Sequence, residues 1–364
     1  MPLNSYVTLG RSGLRVSPFC LGAMTFGEDY GSGGGCGASV PDSEAMLSHY
    51  LEQGGNFIDT ANSYMRGHSE KIIGDFFQQR KGKRDRVVIA TKFMMNFFAG
   101  DPNGGGAGRK AIVAQCEESL RRLQTDYIDL YYLHIWDRFT PIEETMSALD
   151  DLVKSGKVRY VGFSDAPAWK VAQAQVMAHF RGWNPLIALQ IEYSLMQRTV
   201  EGELVPMAEE LGLGVLPWGP LKSGALTGKY TRANGAKMQG LRGARAGEFT
   251  EKQYDIIDVV GKVATECNTS PSTVALAWLK AQPGVRSTII GARTLEQLDA
   301  NFKALDLTLT PEQMASLNDV SKSVLNFPAD FLLQAPSLSH AGATVNGVPS
   351  QATMMVPKDD SQRW

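Results

Sequence analysis

The chain has 364 residues, with 36 basic and 38 acidic side chains, a formal charge of -2, 43% hydrophobic residues and 20% charged ones. This is an ordinary composition for a globular protein, and its balanced charge gives no general attraction for nucleic acid or an acidic membrane surface. No stretch approaches the ~20 apolar residues of a membrane span. The start, Met1-Pro2-Leu3-Asn4-Ser5, lacks the basic flank and apolar core of a signal peptide, and Cys20, Cys36, Cys116 and Cys267 are too scattered for a CxxC metal site or a disulfide framework, so a cytoplasmic protein with reduced thiols is expected.

In chain order, residues 7–9 and 14–16 flank Gly10-Arg11-Ser12-Gly13 and predict a small hairpin. Eight short apolar runs follow, at 19–21, 57–59, 87–92, 128–134, 160–164, 187–191, 214–218 and 288–290. Their apolar residues are nearly continuous, as in parallel strands buried on both faces. Amphipathic stretches separate them. In one, Ile112, Val113, Cys116, Leu120 and Leu123 share a face of a 3.6-residue period. Thr140-Pro141-Ile142-Glu143 predicts a capping box, Thr310-Pro311-Glu312-Gln313 repeats that signal, and Ser270-Pro271 opens another helix.

Eight strand-then-helix units predict an α/β fold, a (β/α)8 TIM barrel with an N-terminal hairpin and a C-terminal extension; the alternative is a doubly wound open sheet. The barrel is expected over residues 1–325. After that the pattern fades into Pro, Ser, Gly and Ala, so residues 326–364 are expected to be a tail without a core of its own, either mobile or laid across the barrel. Residues 31–37 and 100–108 are glycine-rich loops. The first lacks the Lys-Ser/Thr of a phosphate loop, and no G-x-G-x-x-G follows the first strand, so residues 31–37 are read as a flexible insertion.

A residue suited to chemistry or ligand contact stands near the C-terminal end of every predicted strand: Met24, Asp59, Lys92, His134, Ser164, Gln190, Trp218 and Gly291. Each alone has a plainer reading, as a turn residue, a solvated charge or a structural hydrogen-bond partner. Together they converge on the face where barrel enzymes place their active sites. A lysine in such a pocket needs a counter-charge, which Asp59 supplies. Tyr64 follows Asp59 on the same loop, and a phenol beside an ammonium group has its pKa drawn down from ~10, which makes it a tunable proton donor. The sequence holds no nucleophile–base pair of the Ser–His or Cys–His kind and no metal-ligand spacing.

These residues sit within three long motifs. The first is Gly54-Gly55-Asn56-Phe57-Ile58-Asp59-Thr60-Ala61-Asn62-Ser63-Tyr64. The second is Leu216-Pro217-Trp218-Gly219-Pro220-Leu221-Lys222-Ser223-Gly224-Ala225-Leu226-Thr227-Gly228-Lys229-Tyr230. The third is Ile290-Gly291-Ala292-Arg293-Thr294-Leu295-Glu296-Gln297-Leu298, followed by Asn301. In these motifs the chain resembles the aldo-keto reductase superfamily, NAD(P)H-dependent reductases on a (β/α)8 barrel, over roughly residues 7–320, and its second motif is more like the bacterial and potassium-channel-subunit branches.

The resemblance implies a catalytic tetrad: Tyr64 as the general acid that protonates a carbonyl oxygen, Lys92 lowering its pKa, Asp59 holding Lys92, and His134 orienting the substrate carbonyl. It also implies a cofactor, NADPH in preference to NADH. Ser164 and Gln190 match the positions that meet the nicotinamide carboxamide, with Met24 and Asp59 beside them, and Trp218 matches the aromatic that stacks on the ring. Gly219, Pro220, Leu221, Lys222, Ser223 and Gly224, with Lys229, match the loop around the pyrophosphate. Arg293 matches the 2′-phosphate site, Gln297 and Asn301 match the adenosine, and Gly291 is a further cofactor-binding candidate. Asp165 departs from the family, where many members carry Asn. Phe26, Phe93 and Trp136 follow strand ends and are candidates for a substrate wall that would favour apolar or ring-bearing carbonyl compounds. The implied activity is reduction of an aldehyde or ketone to an alcohol, reversible in principle; the alternative is a cofactor-binding regulatory subunit with little turnover.

Overall fold

The computed structural model describes residues 2–28, 37–80, 82–233 and 249–363. Most of the glycine-rich insertion at 31–37, including Cys36, lies outside the described residues. Two short strands, β1 (Val7–Thr8) and β2 (Arg15–Val16), form the antiparallel hairpin. Eight parallel strands follow: β3 (Phe19–Gly22), β4 (Phe57–Asp59), β5 (Val88–Phe93), β6 (Ile128–Leu133), β7 (Val158–Ser164), β8 (Leu186–Glu192), β9 (Gly214–Trp218) and β10 (Thr288–Gly291). They run in chain order around the sheet, and β10 pairs back with β3. A parallel bridge between Val215 of β9 and Val285, just before β10, brings the ring round. This is the (β/α)8 barrel, and the doubly wound alternative is set aside.

Strand parity decides which side chains enter the barrel. Cys20, Phe57, Val88, Ala90, Leu130, Tyr132, Ala188, Leu216 and Ile289 pack together inside it. Their odd-step neighbours Phe19, Leu21, Ile58, Ile89, Tyr131, Leu133, Phe163, Leu189 and Ile290 face the helices, in a larger outer core. On β7, a Cβ at Gly162 would sit 2.6 Å from the Tyr132 ring, so glycine there leaves the ring its room. The hairpin plugs the end of the barrel opposite the strand C-termini: Leu9 and Val16 are wholly buried and join the interior cluster. Its turn residue Gly10 has φ 58°, and a Cβ there would lie 2.3 Å from the Ile187 carbonyl oxygen, so only glycine fits.

The helices cover the barrel as expected, with two local differences. In the helix Arg109–Leu123, Ile112, Cys116, Leu120 and Leu123 are buried but Val113 is 36% exposed, because it lies off the stripe that Gln115 and Ser119 complete. The capping box at Thr140 does not form. The helix Ile142–Lys154 starts after Pro141 without a side-chain cap, and the Thr140 hydroxyl donates instead to Asp137 at 2.7 Å. Asp137 also accepts the Ala107 and Phe139 N–H groups, so it organises this loop as a local acceptor. The boxes at Thr310 and Thr250 do form, and Ser270 caps its helix. Residues 326–363 form the short helices Ala329–Leu332 and Ala335–His340 and a small hairpin, and none of their side chains is buried.

Candidate active site

The inward parity that buries Phe57, Ala90, Tyr132, Ala188 and Leu216 continues one step further along each strand. It places Asp59, Lys92, His134, Ser164, Gln190 and Trp218 at the strand C-terminal mouth. The parity that fills the barrel with apolar side chains therefore aims six polar or aromatic ones at a single point.

Lys92 is wholly buried there. Its ammonium donates to Asp59 Oδ1 at 2.5 Å, to the Thr60 carbonyl at 2.9 Å and to Tyr64 Oη at 3.0 Å, which uses all three of its protons. Burial works against the charge, but the Asp59 carboxylate and Tyr64 outweigh it and hold the Lys92 pKa above its ordinary value. The second Asp59 oxygen accepts from Gln190 Nε2 at 2.9 Å. Because Lys92 donates to the phenol oxygen, the Tyr64 proton is directed away from Lys92.

The Tyr64 ring meets the His134 ring edge-on, with centroids 5.7 Å apart. Burial, aided by the Lys92 charge, pushes the His134 pKa down to about 3, so the imidazole is neutral and uncharged beside the lysine.

The loop carrying Tyr64 is held from behind. Met65 and Arg66 take left-handed backbone (φ 48° and 55°) before the helix His68–Gln78 begins. Glu70 in its first turn is fully buried, accepting from Thr91 Oγ1 at 2.5 Å and from Arg122 Nε at 2.6 Å. Thr91 precedes Lys92, so this buried pair fixes the tyrosine loop against the lysine strand.

Above this floor stands the loop after β9. Lys222, Ser223 and Gly224 follow one another in left-handed backbone, at φ 44°, 56° and 97°. Gly219 (φ 65°) opens the loop, Pro220 is buried within it, Leu221 packs partly against the core, and Lys229 is exposed near its far end. Lys222 Nζ is 2.6 Å from Glu192 Oε1. Sequence reasoning does not single out Glu192, yet it lies one inward step beyond Gln190 on β8, and parity alone could have found it.

Across the mouth, Thr294 caps the helix Leu295–Phe302, accepting from the Gln297 N–H, while the Arg293 N–H donates to Gln297 Oε1 at 3.0 Å and the Arg293 side chain is exposed. Asn301 is buried and donates to the Gly291 carbonyl at 3.2 Å. Met24 is half-buried, and its neighbour Thr25 bonds the Ala292 carbonyl, tying the loops after β3 and β10 together. Trp218 is half-buried, and its indole N–H donates to Asp165 Oδ1 at 3.1 Å.

The three aromatic wall candidates divide. Phe93 has the opposite parity from Lys92 and packs against Tyr131 in the outer core, with ring centroids 4.8 Å apart. Phe26 is wholly buried in that same core, so neither is brought to the mouth. Trp136 is half-buried: its backbone N–H bonds the Asp165 carbonyl oxygen, and its ring packs against Phe163 of the outer core, with centroids 6.5 Å apart. Among the described residues no three His, Cys, Asp or Glu side chains stand close enough to hold a metal ion, and no helix is long and apolar enough to cross a membrane.

The chain matches the aldo/keto reductase family over residues 18–322. It is 36% identical to norsolorinic acid reductase of Aspergillus flavus, over 90% of this chain and 84% of that protein. It is 39% identical to the oxidoreductase YrpG of Bacillus subtilis, over 86% and 95% of the two chains. It is 36% identical to an aryl-alcohol dehydrogenase of Pestalotiopsis microspora, over 88% and 82%. The match runs through all eight barrel strands and through the mouth that Asp59, Lys92 and Trp218 line, and the chain therefore belongs to the aldo/keto reductase family, as an NAD(P)H-dependent oxidoreductase.

Proposed function

We propose that this enzyme reduces an aldehyde or ketone to an alcohol with NADPH, Tyr64 serving as the general acid. The observation that carries the reading is the threefold bonding of Lys92, which puts a buried ammonium 3.0 Å from the phenol oxygen as a donor, so the phenol keeps its own proton for another acceptor. An adjacent positive charge favours phenolate, so the tyrosine gives up its proton more readily at neutral pH. His134, neutral and edge-on to Tyr64, is suited to donate a hydrogen bond to the substrate oxygen and hold the carbonyl in line with the tyrosine. Asp59 keeps Lys92 charged, and Gln190 keeps Asp59 in place.

The residues at the mouth fit a nicotinamide dinucleotide. The Ser164 hydroxyl is buried without a well-formed hydrogen bond, as a site for a carboxamide requires. Space lies open beside Gly224 and Gly291, where a Cβ would meet nothing within 4 Å. Ser164, Gln190 and Trp218 would hold the nicotinamide, with Met24 beside it. The 219–224 loop and Lys229 would hold the pyrophosphate, and Gln297 and Asn301 the adenosine. Bound there in its reduced form, the cofactor would supply the hydride (two electrons and a proton) for the carbonyl carbon, and Tyr64 would deliver the second proton to the oxygen. Arg293, exposed at a capped helix start, would pair a 2′-phosphate through its guanidinium, which supports NADPH over NADH.

Relatives named for norsolorinic acid and for aryl alcohols support a ring-bearing carbonyl substrate. The test is oxidation of NADPH with a panel of aromatic and aliphatic aldehydes and ketones, by the wild type and by Tyr64→Phe. Turnover of aromatic members by the wild type, lost by about 100- to 10,000-fold in Tyr64→Phe with cofactor affinity kept, is the expected result. Near-normal turnover of the variant would remove Tyr64 from the role.

A further inference from the structure

Asp165 is the family departure at the heart of this mouth. It follows Ser164 at the end of β7 with left-handed backbone (φ 44°). Its N–H donates to the Gln190 carbonyl at 3.1 Å, and its carbonyl accepts from the Trp136 N–H at 3.4 Å. Its Oδ1 accepts from the Trp218 indole at 3.1 Å. The carboxylate is thus held by Trp218, on a backbone tied to Gln190 and next to Ser164, the three residues proposed above to seat the nicotinamide.

The charges around it do not neutralise it. Glu192 of β8 is also anionic and is paired with Lys222 of the loop after β9. Lys92 of β5 is committed to Asp59 of β4, Thr60 and Tyr64, and His134 beyond β6 is neutral. Among the described residues no cation forms an ion pair with Asp165.

From this placement we infer that Asp165 sets the redox bias of the site. An oxidised nicotinamide ring is a cation and a reduced one is neutral, so a fixed carboxylate beside the ring favours the oxidised form. The enzyme then holds NADP+ more tightly, relative to NADPH, than an amide at this position would allow. Bound reactants would correspondingly be shifted toward carbonyl reduction: the carbonyl carbon would receive the hydride, Tyr64 would give its proton to the carbonyl oxygen, and the products would be the alcohol and NADP+. The inference rests on the cofactor seat proposed above.

Crowding by protein atoms pushes the Asp165 pKa up to about 6; the indole N–H opposes this, Glu192 adds to it, and Lys92 and Ser164 oppose it. The open mouth leaves the side chain exposed to water, which screens the effect. The bias should therefore be present at pH 8 and fade toward pH 5 as the carboxyl group protonates.

Asparagine keeps the shape and an oxygen for the Trp218 indole while removing the charge. The test is binding rather than turnover: dissociation constants of NADP+ and NADPH, with NAD+ and NADH in parallel, from tryptophan fluorescence titrations of wild type, Asp165→Asn and Asp165→Glu. At pH 8, Asp165→Asn should raise the ratio of the NADP+ to the NADPH dissociation constant by about 10-fold, the size of a partly screened charge interaction. Asp165→Glu should keep the wild-type ratio, and the wild-type ratio should itself rise between pH 8 and pH 5. That pH dependence decides the matter if the Asn variant does not fold. An unchanged ratio, or equal weakening of both forms, would overturn the charge role while leaving the cofactor seat standing. Wild-type protein that binds neither cofactor would overturn the seat, and the redox bias with it.

Discussion

At the floor of the mouth, Lys92 commits all three ammonium protons to Asp59, Thr60 and Tyr64 inside a sealed shell of strand residues. At the rim, Lys222, Ser223 and Gly224 follow one another in left-handed backbone, and the Arg293 side chain lies open to water. The floor is built from strand ends and is rigid by packing, so the proton donor is positioned before any reactant arrives. The rim is built from loops, where ligand-binding residues are commonly placed on a rigid scaffold. Changes at the floor should therefore strike the chemical step and the fold together. Changes at the rim should strike affinity and selectivity and leave the fold alone.

The largest expected effect tests that claim at the floor. Lys92→Met should lower turnover by about 100- to 10,000-fold and destabilise the fold by about 3–5 kcal/mol, because Asp59 is left buried without its counter-charge. Denaturant unfolding of the two proteins measures the second part. The Lys92 pKa is held above the ordinary lysine value, so the pair's contribution is complete below about pH 10.4 and is lost only as the pH climbs through the folded value. The stability gap should therefore be flat from about pH 6 to 9, and a gap that closes in that interval would show the pair to be more exposed than its burial implies.

His134 gives the opposite pH signature. Its folded pKa lies below the ordinary ~6.5, so the unfolded chain takes up a proton that the folded one refuses, and stability should fall as the pH drops from about 6.5 toward 3. His134→Gln should flatten that slope, and an imidazole signal titrating near 6.5 by NMR would contradict the reading.

At the rim, Arg293→Ala should weaken NADPH binding by about 10- to 150-fold and change NADH binding little, the loss of one charge-assisted contact. Titrations with both cofactors decide it, since equal losses would mean that Arg293 does not read the 2′-phosphate. The smallest effect is expected for Glu192→Gln, which releases Lys222 from a half-exposed ion pair. The change in stability should stay below about 1 kcal/mol, with cofactor affinity shifting a few-fold, and a large loss of stability would place Glu192 with the floor instead.

The same contrast explains what the sequence makes legible. Strand ends carry their orientation in parity, so the polar residues that close the inward series could be read from the chain, and so could Glu192. Parity equally tells that Phe93 turns away from Lys92, a point its position after the strand end obscures. The rim is harder, because loop geometry is set by contacts distant in sequence. The Thr140 hydroxyl is drawn from its helix start by Asp137, which also gathers the Ala107 N–H from another loop. Nothing local to Thr140-Pro141-Ile142-Glu143 signals that competition.

The hairpin at the far end of the barrel has a practical meaning for handling the enzyme. Leu9 and Val16 stopper the end of the barrel away from Tyr64, and Arg11 bonds the Gly212 carbonyl beneath β9. The barrel interior is filled and its far end stoppered, so the described residues leave the tyrosine approachable only from the side of the strand C-termini. Attaching the protein to a bead or an electrode through its hairpin end would leave that side facing the solution, whereas attachment through the loops around Arg293 would turn it toward the support.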